Sequence, residues 1–291
     1  MQPGRVGIVG LGLIGGSLGL DLQARGWTVQ GLVHRQATAD RAMARGLVGA
    51  VSTDPSCLSG CDLVILALPI PLLLNPPDEL IAALPEAAVI TDVGSVKQPV
   101  LEVWRQRHPR FVASHPMAGT AQAGVEAGVL DLFRGRPWIA TPDAATDPSA
   151  LAQVRDLAVS VGGHWLTATA SQHDQAVALI SHMPVLVSAA LLRAVGDERD
   201  PEIRQLAMVL ASSGFADTSR VGGGNPELGV AMASTNRDAV LRGLAAYRWS
   251  LEQLEDALLQ QNWSQLALEL RRTQTLRPDF LRAPGEVSSE N

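Results

Sequence analysis

From residue 5 to about 167, short aliphatic and β-branched runs alternate with longer stretches of helical composition. The runs are Val6–Val9, Val29–Val33, Leu63–Leu68, Ala88–Thr91, Phe111–Ser114, Trp138–Thr141 and His164–Thr167. Segments between the first six are long enough for crossover helices, so the pattern predicts a mostly parallel sheet covered on both faces. This is an α/β domain of Rossmann type over residues 1–167. After Thr169 the strand signal stops. Helices are expected at about 171–195, 201–212, 226–234, 236–261 and 263–274, which makes an all-α second domain over 168–277. The remainder, 278–291, reads as a weakly ordered tail. A length of 291 residues suits two domains.

Two of the helices carry unusual apolar patterns. The first is apolar nearly all round, through Val177, Ile180, Leu186, Val187, Ala190 and Leu191, and is expected to be buried at the centre of its domain. Trp249, Leu251, Leu254 and Leu258 give the 236–261 helix one apolar face, suited to an interdomain or dimer contact.

Composition narrows the class. The net charge is −6 and the 23 basic residues are scattered, so nothing offers nucleic acid a footprint. Lys97 is the only lysine. Cys57 and Cys61 lack the His or Cys companions of a zinc site, so no metal is expected, and free thiols fit a reducing compartment. The N-terminal apolar run is broken by glycines and followed by no cleavage signal. The most apolar later stretch, Met183–Leu192, is about half of the roughly 20 residues that span a bilayer. A soluble, cytoplasmic protein without a membrane partner is expected.

Chemistry enters at the ends of the strands. Gly10-Leu11-Gly12-Leu13-Ile14-Gly15 follows the first strand and opens a helix, the context in which this pattern binds a dinucleotide. Gly10 permits the turn, Gly12 lets the backbone approach the pyrophosphate, and Gly15 lets helix and sheet pack closely. After the second strand stands His34-Arg35-Gln36, where an acid would bind the ribose of NAD. Arg35 instead suits a 2′-phosphate, so NADP is the expected cofactor. Its candidate contacts are Gly10, Gly12, Leu13, Ile14, Gly15, His34, Arg35, Gln36, Pro69 and Ser95.

His115, in Ser114-His115-Pro116, is held extended by the proline that follows, at the carboxyl edge where such sheets bind ligands. An imidazole there suits a base in hydride transfer. Ser95, with Gln98 three residues on, forms a capping box, and its hydroxyl retains capacity to bond His115 or the nicotinamide region. Lys97 and Asp92 read as structural or solvent-facing. His182 lies on the apolar helix beside Pro184, which removes an N–H and frees the carbonyl of Ile180. Such a turn can border a cleft, and a core histidine is the equal alternative. Arg220, in Asp217-Thr218-Ser219-Arg220, could grip a carboxylate or merely pair with Asp217.

In this order, the glycine loop, Asp92–Lys97, His115–Thr120, Ser181–Pro184 and Asp217–Arg220 resemble the prephenate/arogenate dehydrogenase family over about residues 5–275. The likeness is nearest to the cyanobacterial-type NADP-dependent arogenate dehydrogenases, notably in His173–Ala178 and Ser212–Leu228. It implies oxidative decarboxylation of arogenate to tyrosine, or of prephenate to 4-hydroxyphenylpyruvate. It also implies that His115 takes the ring-hydroxyl proton, that Ser95 orients it, and that His182 and Arg220 hold the substrate. Thr120 would line the pocket, and the helical domain would form a homodimer. Another two-domain NADP reductase would share the glycine loop without the later motifs. A nonenzymatic NADP sensor would need neither His115 nor Arg220.

Overall fold

The computed structural model describes residues 4–120 and 122–281. Strands β1 (Arg5–Val9), β2 (Thr28–Leu32), β3 (Ala50–Ser52), β4 (Leu63–Leu66), β5 (Val89–Asp92) and β6 (Phe111–Val112) form one parallel sheet. Their order is β3-β2-β1-β4-β5-β6. The chain therefore steps to one side of β1 for β2 and β3 and to the other for β4 to β6. The crevice this opens beyond the carboxyl ends of β1 and β4 is where doubly wound sheets bind ligands.

Helices α1 (Leu13–Gln23), α2 (Gln36–Ala44), α3 (Ile70–Leu74), α4 (Asp78–Ala83), α5 (Gln98–Trp104) and α6 (Pro148–Ser160) belong to this domain. The strands read as continuous apolar runs because successive residues enter two different cores. Val6, Ile8, Leu63 and Ile65 join Leu18 and Leu22 of α1 on one face. Val9, Val64, Leu66 and Ile90 join Val100 and Trp104 of α5 on the other.

The structure corrects the sequence reading in two places here. β3 was not foreseen, because Ala50-Val51-Ser52 is short and barely apolar. The expected strand Phe111–Ser114 is divided: β6 ends at Val112, and β7 (Ser114–Pro116) starts a three-stranded sheet with β8 (Pro137–Ala140) and β9 (His164–Thr167). β7 runs antiparallel to β8, pairing His115 with Ile139. His115 thus sits within a strand of its own rather than in a loop after β6.

The second domain is helical: α7 (Ala170–Val177), α8 (Met183–Gly196), α9 (Pro201–Leu210), α10 (Ser213–Ser219), α11 (Pro226–Thr235), α12 (Arg237–Leu259) and α13 (Trp263–Leu281). α10, and the 3₁₀ turn Arg220–Gly223 that follows it, fall between the expected helices. The expected tail is also corrected. Residues 278–281 continue α13, with Pro278 inside it, and 282–291 lie outside the described residues. The last turns of α13 are exposed, so water can replace the hydrogen bond that Pro278 removes.

α7 and α8 are joined by a π turn, Ala178–His182, into one helix of 27 residues, Ala170–Gly196. By length and composition alone it is apolar enough to cross a membrane. Its expected burial is not observed within one chain. Val177 is buried, but Ile180 is 58% exposed. Trp249 on α12 is 62% exposed, with Leu251 and Leu258 also uncovered. Apolar faces of this extent mark contact surfaces.

Candidate active site

The glycine loop lies where β1 hands over to α1, and each glycine meets a different constraint. Gly10 has φ +94°, and a Cβ there would fall 2.3 Å from the Ala67 carbonyl oxygen beyond β4. A Cβ on Gly15 would lie 1.9 Å from the Gly10 oxygen. A Cβ on Gly12 would meet nothing within 4 Å, so the backbone there borders open space. Gly12 is the N-cap of α1, with no side-chain cap and no acid in the first turn. An uncapped, acid-free helix start beside an open backbone fits a pyrophosphate. Leu13 and Ile14, the first residues of α1, are half-buried. His34, Arg35 and Gln36 are exposed after β2, Arg35 being the N-cap of α2, and Gln36 donates to Asp40. Pro69, exposed after β4, is the N-cap of α3.

The segment after β5 holds a closed polar cluster. Lys97 and Asp92 are fully buried and paired, which contradicts a solvent-facing placement and supports a structural one. Lys97 Nζ also donates to the Ser114 carbonyl (2.8 Å), and Asp92 accepts from the N–H groups of Gly94 (2.8 Å) and Ser114 (3.1 Å). The Ser114 hydroxyl lies between the Asp92 carbonyl, Thr91 Oγ1 and Trp138 Nε1. Burial raises the Asp92 carboxyl and lowers the Lys97 amine from their usual ranges, each opposed by the partner's charge. The cluster anchors Ser114, and with it the neighbouring His115.

His115 is buried, and its Nδ1 lies 2.9 Å from His173 Nε2. His173 Nδ1 lies 2.7 Å from Asp174 Oδ1. Asp174 also accepts from the backbone N–H groups of Lys97 (2.7 Å) and Gln98 (2.9 Å). This replaces the expected capping box. Pro99 sits in the first turn of α5, Lys97 is its N-cap, and the capping carboxylate comes from α7. Ser95 Oγ, released from that duty, is buried with no hydrogen-bond partner.

His182 is buried in the π turn, and its Nδ1 lies 3.2 Å from Asn236 Nδ2, which donates to the Asp174 carbonyl (2.7 Å). Its Nε2 makes no well-formed hydrogen bond, although the Ser95 backbone interacts with the ring. Pro184, in the first turn of α8, supplies the reason for the irregular turn, a device that recurs at functional sites. Burial holds His115 well below the ordinary imidazole range, with His173, Lys97 and His182 adding to the effect. Burial likewise pushes His182 down to about 4.

Ser95, His115 and His182 are thus gathered around a junction of the two domains. Thr120 is exposed, its hydroxyl accepting from Gln122 N (3.2 Å). Arg220 is exposed on a 3₁₀ turn clipped to α8, where Ser188 Oγ bonds the Thr218 carbonyl and accepts from Gly222 N. Among the described residues no hydrogen bond joins either to His115, and no ion pair joins Arg220 to Asp217. Nor do the described residues contain a metal-ligating cluster. His173, Asp174 and Asn236 were not foreseen as site residues. The signal available was the adjacent His-Asp pair behind the capping box Thr169–Gln172.

With this geometry in place, comparison with known proteins decides the family. Residues 18–167 match the model described as prephenate dehydrogenase, nucleotide-binding domain, and residues 169–272 match its dimerization domain. The chain belongs to the prephenate dehydrogenase family. It is 31% identical over 277 residues to the cyclohexadienyl dehydrogenase of Zymomonas mobilis, covering 94% of each chain. Among solved structures it is similar to Synechocystis arogenate dehydrogenase, at 43% identity and TM-score 0.80, covering 95% of this chain and 100% of that one. It is also similar to the Aquifex aeolicus prephenate dehydrogenase solved with hydroxyphenyl propionate and NAD+, at 26% identity and TM-score 0.89, covering 96% and 99%. Membership makes this an oxidoreductase of aromatic amino acid biosynthesis with a nucleotide-binding Rossmann domain.

Proposed function

We propose that the protein is a cytoplasmic, homodimeric, NADP-dependent arogenate dehydrogenase that oxidatively decarboxylates arogenate to tyrosine. Residues 1–167 bind the dinucleotide, and 168–277 complete the substrate site and form the dimer. The observation that carries this reading is a buried imidazole, His115, in a fold with a glycine loop open at Gly12 and two buried polar atoms, Ser95 Oγ and His182 Nε2, without hydrogen-bond partners. The nicotinamide, when bound, supplies the hydride acceptor. His115 takes the proton of the ring hydroxyl as hydride leaves the carbon that bears it, and the electrons of the breaking bond to the ring carboxylate aromatise the ring as CO₂ departs. The Ser95 hydroxyl orients the substrate hydroxyl. His182 and Arg220 hold carboxylate and side-chain groups, and Thr120 lines the pocket.

Greater identity with an arogenate dehydrogenase than with the prephenate dehydrogenases supports arogenate, at 43% against 26% and 31%. The absence of an acid after β2 and the exposed Arg35 support NADP. Prephenate is the second reading, favoured by relatives such as the prephenate dehydrogenase of Bacillus subtilis, 64% of whose length this chain spans. Steady-state rates with both substrates and both cofactors test the assignment, and a higher kcat/KM with prephenate would reverse it. Arg35→Ala should weaken NADP by about ten- to a hundredfold, the worth of a charge-assisted hydrogen bond, and NAD little. Equal losses would remove the 2′-phosphate contact.

A further inference from the structure

Asp174, on the first helix of the helical domain, bonds the start of α5 in the Rossmann domain and the neighbouring His173. Its two carboxylate oxygens accept from the Lys97 and Gln98 backbone N–H groups, which can only donate. With both oxygens already accepting from backbone N–H groups, the contact to His173 Nδ1 at 2.7 Å is satisfied by an N–H donated from the ring. An imidazole that carries its single N–H on Nδ1 keeps a lone pair on Nε2. That atom is 2.9 Å from His115 Nδ1, which must carry the hydrogen between them. His115 Nε2 is left as the acceptor.

The backbone carbonyl of the same Asp174 settles a second ring. Asn236 Nδ2 donates to it at 2.7 Å, which fixes the orientation of the amide. The remaining hydrogen on Nδ2 points to His182 Nδ1 at 3.2 Å, so that nitrogen is an acceptor. In a neutral ring the proton then lies on Nε2, the atom with no well-formed hydrogen bond.

We propose that Asp174, acting through His173 and Asn236, holds His115 and His182 in opposite tautomers, so that His115 presents a proton acceptor and His182 a hydrogen-bond donor. His173, Asp174 and Asn236 are positioning residues. The arrangement deepens the reading of His115 as the base and rests on it. Lys97, tied to Asp92, and His182 also face His115, and burial with these neighbours disfavours a charge on it. When His115 accepts the hydroxyl proton on Nε2, its Nδ1–H remains bonded to His173, and the Asp174 carboxylate stabilises the imidazolium through that ring. Because the carboxylate also caps α5, the tautomers hold only while α7 is docked on the Rossmann domain.

Proton–nitrogen correlation spectra of isotope-labelled full-length protein at neutral pH test this directly. The six histidines can be assigned by single substitution. The expected result is a proton on Nδ1 of His115 and on Nε2 of His182. A proton on Nε2 of His115, or on Nδ1 of His182, overturns the proposal. Turnover supplies a second arm. His173→Leu should lower kcat about ten- to a hundredfold with KM little changed, as expected for loss of a group that orients another. His173→Gln, which can accept from His115 and donate to Asp174, should recover part of that loss. Unchanged kcat in His173→Leu, or equal losses in both variants, would refute the relay. Full activity in a His115 variant would instead refute the base assignment and leave the tautomers to the spectra.

Discussion

Two buried polar clusters, which interleave in sequence at Ser95 and at His115, follow opposite rules. Around Asp92, Lys97 and Ser114, each side-chain polar group has a partner. Around His115 and His182, the Ser95 hydroxyl and His182 Nε2 have none. Burial of polar atoms costs free energy unless they are hydrogen-bonded, so a satisfied cluster is a scaffold. An unsatisfied one keeps its hydrogen-bonding capacity for something that arrives later. Position in sequence does not separate the two, since Ser95 lies between Asp92 and Lys97.

Breaking the closed cluster should have the largest effect on stability. Lys97→Met leaves the Asp92 carboxylate buried without its cation, and thermal unfolding should show a loss of about 3–5 kcal/mol. An unchanged Tm would mean that the pair does not hold the β5–β7 region together. Breaking the open cluster should instead cost turnover. His115→Asn is expected to lower kcat by roughly 10²-fold or more while dinucleotide binding, followed by fluorescence titration, is retained. Near-normal turnover would take His115 out of the mechanism.

The two histidines also give stability a pH dependence. Their folded pKa values lie below the unfolded value, near 6.5, so between the two the unfolded chain binds more protons. Their contribution is therefore fully present above about pH 6.5 and is lost as pH falls toward about 4, where His182 titrates. Each group adds at most about 1.4 kcal/mol per pH unit. Denaturant unfolding at a series of pH values should show this slope, and His182→Asn should reduce it. The smallest change is expected for Ser95→Ala. Because no group bonds Ser95 Oγ, stability should move by less than about 0.5 kcal/mol while turnover falls. A large drop in Tm would show that the hydroxyl serves the fold.

The Rossmann half was legible because its evidence is local. Apolar runs such as Leu63–Leu66 are uniform since both faces of the sheet are covered, and Gly10 and Gly15 stand where a side chain has no room. The helical half was legible only as helices. Which of their faces would be covered was not, and Ile180 and Trp249 are apolar but exposed within one chain. The cap of α5 was misread for a related reason. Ser95 and Gln98 have capping-box spacing, yet a carboxylate 77 residues away in sequence reaches Lys97 N first.

Sequence alone determined that there would be a tight glycine loop between β1 and α1, an extended His115 before a proline, and a disturbed turn at His182, because backbone constraints act over a few residues. Tertiary structure decided which of the polar residues nearby became scaffold and which remained open. It also chose the ring nitrogen that each histidine presents, since a tautomer is set by a neighbour's lone pairs and donors. Those neighbours, Asp174 and Asn236, come from helices that meet this site only once the two domains are docked.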